Sequence, residues 1–164
     1  MTIVEVVTHV NAPRTRCFDL ARSVDAHMQS ASTTSETVVA GRTSGMLALN
    51  EDVTWQARHF GVRLSLQSRI TSFRRPEYFQ DSMVRGPLKS LVHDHYFDDA
   101  GNGVTTVRDV FMFSAPVPGI GRLVEGLVLR RHFQRFLEAR NAELKKMAES
   151  EAWRRFVPAD DAAT

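Results

Sequence analysis

The sequence predicts an α+β domain. A curved antiparallel sheet of about six to seven strands wraps around a long C-terminal helix, with two short helices after strand 1. Three observations predict it. First, Gly119 to Ser150 carries an apolar stripe at three- and four-residue steps, through Leu123, Leu127, Phe133, Phe136, Leu137, Leu144 and Met147. That spacing lays one oily face along a helix. Second, from Asp52 to Ser114 apolar and polar residues alternate between short turns, which is the pattern of antiparallel hairpins. Third, the strand runs are bounded by helices rather than interleaved with them, which separates α+β from α/β.

Taken in order, Thr2 to Val10 is rich in β-branched residues and makes the first strand. Asn11-Ala-Pro13 ends it, and Pro13 is tolerated where a helix begins. Cys17, Phe18 and Ala21 then form one short helical face. Ser23-Val-Asp25 caps a second short helix running through Met28. Ser30 to Ser35 is small and polar, a loop. Glu36 to Ala40 is a short strand, and Gly41 to Asn50, with two glycines, is irregular.

Val53, Trp55, Ala57 and His59 alternate with Thr54, Gln56, Arg58 and Phe60 up to Gly61, and Val62, Leu64, Leu66 and Ile70 follow in the same manner. The two runs make a hairpin. Arg74-Arg75-Pro76 breaks the chain before a strand from Glu77 to Arg85. After Gly86-Pro87, Leu88 to Phe97 pairs with Val104 to Ser114 across the turn cluster between Asp98 and Gly103. Ala115-Pro-Val-Pro-Gly119 then releases the long helix. Residues 1–150 are expected to form the domain, and 151–164 a C-terminal tail that frays toward its end.

Composition excludes several classes. The chain has 164 residues, 43% hydrophobic and 24% charged, which is ordinary for one globular domain. A net charge of +2 argues against nucleic acid as a partner. One cysteine, Cys17, excludes an intrachain disulfide. Glu5 interrupts the apolar start, so no signal peptide is read, and no run reaches membrane-spanning length. The expectation is a cytoplasmic protein without an integral membrane segment, its oligomeric state left open.

The element order and several motifs resemble the START-like, helix-grip superfamily (SRPBCC), which includes polyketide cyclase/dehydrase-like and lipid-transport proteins. The motifs are Ala12-Pro13 with Cys17-Phe18, Glu51-Asp-Val-Thr-Trp55 running to His59-Phe-Gly61, Met83-Val-Arg-Gly86, His93-Asp-His-Tyr-Phe97, Arg108-Asp109, and the lead from Pro116 to Gly121. Asn50 stands where a glycine commonly precedes the Glu-x-Val-x-Trp segment. The resemblance implies a cavity between sheet and helix that holds a small hydrophobic molecule such as a lipid or a polyketide-like aromatic.

Alternation selects the residues that face this interior. Val53, Trp55, Ala57 and His59 share one strand face; Phe79, Asp81, Met83 and Arg85 share a second. Leu91, His93, His95 and Phe97 share a third, and Val107, Asp109, Phe111 and Phe113 a fourth. The apolar members carry the polar ones inward. A three-residue loop at Ala100-Gly101-Asn102 would set His93 opposite Asp109 and His95 opposite Val107.

Trp55, Phe79, Met83, Phe111 and Phe113 are therefore expected on one cavity wall, and Leu123, Leu127, Val128 and Phe136 on the other. His59, Arg85, His93, His95 and Asp109 are expected to orient a polar group, the alternative being that, with Asp81, they satisfy one another as a structural cluster. If the protein is an enzyme, His93 or His95 with Asp109 would serve as an acid–base pair, as the cyclase, aromatase or dehydratase relatives imply. No nucleophile elbow, phosphate loop or cofactor fingerprint is present, and no cofactor is expected. His93 and His95 could chelate, completed by His59 and Asp109. The chain lacks CxxC and HExxH spacings, and no metal is expected. Arg130, Arg131, Arg135 and Arg140 read as a solvated helix face, with a docking face for a partner or an anionic membrane surface as the lesser reading.

Overall fold

The computed structural model describes residues 1–31, 35–115 and 128–158. Its strands are β1 (Thr2–Val10), β2 (Thr37–Gly41), β3 (Asp52–His59), β4 (Val62–Arg74), β5 (Tyr78–Arg85), β6 (Ser90–Gly101) and β7 (Val104–Ser114). Its α-helices are α1 (Arg14–Arg22), α2 (Val24–Ser30) and α3 (Arg130–Glu149), and a 3₁₀ helix covers Glu151–Arg155. The sheet order is β1-β7-β6-β5-β4-β3-β2, antiparallel throughout. Strands β2 to β7 follow one another through turns. Only the passage from β1 to β2 crosses the sheet, from one edge to the other, and α1 and α2 make it.

Local chemistry explains the pieces. Phe60 and Gly61, with φ of 52° and 78°, form the two-residue turn between β3 and β4, matching the right-handed twist of the strands. Asn50 takes φ of 66°. Asparagine tolerates this left-handed conformation better than most side chains, which accounts for it in a glycine's place. Ser23 caps α2 by accepting from the Ala26 backbone N–H at 3.3 Å. Phe18 on α1 meets Phe73, Phe79 and Phe97 edge-on, with ring centroids 5.3–5.4 Å apart. It locks one end of the sheet shut.

Helix α3 lies against β1, α1 and α2. Its 20 residues span about 30 Å at ~1.5 Å each. A π-helical turn at Val128 and Leu129 precedes it. The earlier helix start expected at Gly119, with Leu123 and Leu127, lies outside the described residues. Past α3, Trp153 and Val157 are buried in the main core, so the packed unit runs beyond residue 150. No described helix is long and apolar enough to cross a membrane.

Two expectations of register are corrected. In the β6–β7 hairpin His95 faces Asp109 and His93 faces Phe111. The pairing is displaced by two residues from the expected one, with a bulge between Asp99 and Gly101. A two-residue displacement keeps every side chain on its face, so the inner set survives with different partners. Arg85 is the second correction. Met83 pairs with Ser68 but Arg85 with Gln67, so β5 carries an extra residue at Val84. That bulge reverses the alternation, and Arg85 is exposed.

Candidate functional site

A cavity of about 310 Å³ lies between the concave face of the sheet and α3. Strand β3 contributes Val53, Trp55, Ala57 and His59; β5 contributes Phe79 and Asp81; β6 contributes Leu91, His93 and His95; β7 contributes Phe111. Helix α3 supplies His132, Phe133, Phe136, Leu137 and Arg140, and α2 supplies His27. Of the other expected residues, Phe113 is fully buried in the core beneath Phe133, and Met83 is half-buried against the same hydrophobic cluster. Neither reaches the cavity wall. Val128 does not reach it either: it sits in the turn before α3 with its side chain exposed.

Polar residues gather at three places along the wall. At one side His59 Nδ1 lies 2.9 Å from His132 Nε2, and the ring of Phe60 lies 4.4 Å from that of His132. Burial lowers the pKa of both histidines. His59 is thus well apart from the other inward histidines in its contacts, and its partner on α3 was not foreseen.

The second place is the floor of the sheet. Asp81 pairs with His93 across β5 and β6, and His95 with Asp109 across β6 and β7. Each imidazole also reaches the carboxylate diagonal to it. His93 Nε2 lies 2.9 Å from Asp109 Oδ1, and His93 Nδ1 lies 3.9 Å from Asp81 Oδ2. His95 Nε2 lies 3.0 Å from Asp81 Oδ2, and His95 Nδ1 lies 2.8 Å from Asp109 Oδ1. The remaining oxygen of Asp109 accepts from Asn141 Nδ2 of α3 at 2.7 Å. The expected His93–Asp109 contact therefore forms along a diagonal.

Burial pushes His93 down to about 4, and neighbouring His95 acts in the same direction. Burial also opposes charge on His95, but Asp109 and Asp81 outweigh it and raise its pKa. Burial favours a protonated carboxyl at Asp109 and Asp81; hydrogen bonds from the imidazoles win and hold both below the usual carboxylate range.

Beside this floor stands Arg140, 4% exposed. The expectation of a solvated face fails here, because Arg140 shares the three- and four-residue steps of Phe133, Phe136, Leu137 and Leu144. That spacing was the signal available in the sequence. Its Nε has no hydrogen-bond partner among the described residues, and burying such a group unpaired is costly. On the far side of the cavity His27 stacks on Trp55, with centroids 4.0 Å apart, and contacts Glu36 Oε2 at 2.5 Å. Neither His27 nor Glu36 was foreseen, since both lie outside the alternating strands.

No profile of a known protein family matches the chain, and no curated protein sequence does. Solved structures do. The protein TTHA0849 from Thermus thermophilus superposes with a TM-score of 0.74 at 16% identity, over 90% of this chain and 97% of its own. Major latex-like protein 151 from Panax ginseng gives 0.68 at 11% identity, over 91% and 98%. A START superfamily protein from Mycobacterium smegmatis gives 0.65 at 11% identity, over 90% and 97%. The chain thus has the helix-grip fold of START-like proteins, and these likenesses concern the fold.

Proposed function

We propose that the protein binds a small hydrophobic molecule, of the lipid, polyketide-like or other aromatic kind, between the sheet and α3. One observation carries this reading: a cavity of about 310 Å³ whose walls are mainly apolar, with polar side chains gathered on the sheet floor, at Arg140 and at the His59–His132 and His27–Glu36 pairs. That volume is at the lower end of small-molecule sites, about 300–1,000 Å³, which share this mixture of oily wall and directing polar groups. Arg140, with an unsatisfied Nε, supports a ligand whose polar end accepts hydrogen bonds. Native mass spectrometry of gently purified protein, followed by binding assays with aromatic and lipid panels, tests the reading. A retained small molecule, or saturable binding that a bulky substitution at Ala57 blocks, is expected. Failure of every panel member to bind overturns it.

A second reading, a cyclase, aromatase or dehydratase in the same cavity, is favoured by the contact of Asp109 with both imidazoles. On that reading His93→Ala and Asp109→Asn abolish turnover while the fold stays intact. If both variants only lower stability, the cluster is structural.

A further inference from the structure

We propose that Asp81, His93 and His95 form a binding site for one first-row divalent transition-metal ion, facing the cavity. No metal is expected from the sequence, because none of the familiar ligand spacings is present. The site is assembled instead from two neighbouring strands, β5 and β6, by their register.

The geometry has two layers. One donor atom from each of Asp81, His93 and His95 lies within 4.8 Å of the others. The nearest approaches to Asp81 Oδ2 are His95 Nε2 at 3.0 Å and His93 Nδ1 at 3.9 Å. An ion about 2.1 Å from each donor sets donors roughly 3–4 Å apart, so little movement is needed to admit it. All three residues line the cavity.

Behind them lies the second layer. Asp109, 1% exposed, does not reach the cavity. Its Oδ1 meets the far nitrogen of each ring, His93 Nε2 at 2.9 Å and His95 Nδ1 at 2.8 Å. Metal-binding histidines commonly hold a carboxylate on the nitrogen turned away from the ion, which fixes ring orientation and raises ligand basicity. Here one carboxylate does this for two rings, and Asn141 steadies that carboxylate from α3. Asp109 is a positioning residue.

The charges around the site are mixed: Glu36, Asp81 and Asp109 line or back the polar region, while two buried arginines, Arg140 and Arg22, the latter paired with Asp19, also line the cavity. Two imidazoles and one carboxylate suit Zn²⁺ or Fe²⁺ better than Mg²⁺ or Ca²⁺. Three protein donors also leave coordination open toward the cavity, as in sites that bind a further ligand rather than purely structural ones.

The test titrates chelator-treated full-length protein with Zn²⁺ by calorimetry and with Co²⁺ by visible absorption. One equivalent is expected to bind, with Co²⁺ giving the intense bands of a site of low coordination number. Asp81→Ala should abolish binding, and Asp109→Asn should weaken it by about 10- to 100-fold. His132→Gln, which dismantles the His59–His132 pair, should leave it unchanged. Imidazole ¹⁵N shifts of the wild-type protein with and without Zn²⁺ identify the ligating nitrogens even if a variant fails to fold. Absence of stoichiometric binding overturns the proposal, as does binding that survives Asp81→Ala or vanishes with His132→Gln. A fluorescent apolar probe is titrated in parallel: probe binding without metal binding defeats the ion site alone, and the reverse defeats the apolar-ligand reading alone.

Discussion

Asn141 of α3 donates a 2.7 Å hydrogen bond to Asp109 of β7, joining the helix to the sheet at the floor of the cavity. Both side chains are buried, so the bond has no water to replace it. The helix is therefore held over the sheet by a polar link as well as by Leu137 and Met147. Removing one partner of such a bond leaves the other unsatisfied, which costs about 1–3 kcal/mol. Asn141→Ala is expected to lower stability by that amount in urea denaturation. An unchanged midpoint would show that Asp109 is satisfied without the helix.

Arg140→Met is expected to behave in the opposite way. The substitution removes a buried charge whose Nε has no partner among the described residues and substitutes an apolar side chain of similar length, so the unfolding midpoint should stay or rise. Binding of ligands bearing a carbonyl or carboxylate should weaken by tenfold or more, since a hydrogen bond to a charged group contributes about 1.5–3 kcal/mol. Ligands without an acceptor should bind as before. Equal losses for both kinds would remove Arg140 from the site.

The two tryptophans separate the cavity from the core. Trp55 lines the cavity and Trp153 does not; Trp153 packs in the main core and under Arg16, whose Cζ is 4.4 Å from the ring centroid. A cavity ligand should alter the emission of Trp153→Phe protein as strongly as that of the wild type. In Trp55→Phe protein the response should be largely gone. A response that follows Trp153 instead would place the ligand elsewhere.

Acid is expected to weaken the fold through His27 and Glu36. Burial depresses the His27 pKa below its ordinary 6.5, with Arg140 acting in the same direction. Between those two values the unfolded chain binds a proton that the folded chain refuses, so stability falls as pH drops below about 7. Burial alone would raise Glu36, but His27 and Arg140 hold it below 4.5. Its stabilising contribution is present above that value and lost on further acidification. The lowered pKa values of His59, His93 and His132 act in the same direction, while His95, whose pKa is raised, opposes them in the upper part of the range. Denaturation midpoints from about pH 6.5 down to 5 should decline, and His27→Gln should lessen that fall.

Cys17 should be inert in the native state. It is buried on α1, and burial pushes its thiol up to about 11, leaving little of the reactive thiolate near neutral pH. Thiol reagents are expected to modify it at the rate of unfolding, so a stabilising ligand should slow labelling. Rapid labelling of folded protein would show that α1 opens locally.

Much of the interior was legible in advance. Val53, Trp55, Phe79, His93, His95, Asp109 and Phe111 all turn inward, as two-residue alternation requires. Arg85 was misplaced because a single bulge at Val84 has no strong sequence mark. Arg140 was misplaced because charge outweighed its phase on the helix. His27 and Glu36 could not be anticipated: a short helix and the residue leading into an edge strand come together only after the chain has crossed the sheet.

The elements, their order and the faces that side chains share can all be read along the chain. Those properties are local, since period two and period 3.6 are set by backbone geometry within a few residues. Which groups meet is a different matter. A strand can slide by two residues without changing a single face, so only the completed sheet sets His95 opposite Asp109 and Asp81 opposite His93. The rotation of α3 against that sheet, governed by packing along its whole length, then brings Arg140 and Asn141 inward. The site is a product of register and docking, which act between segments distant in the chain.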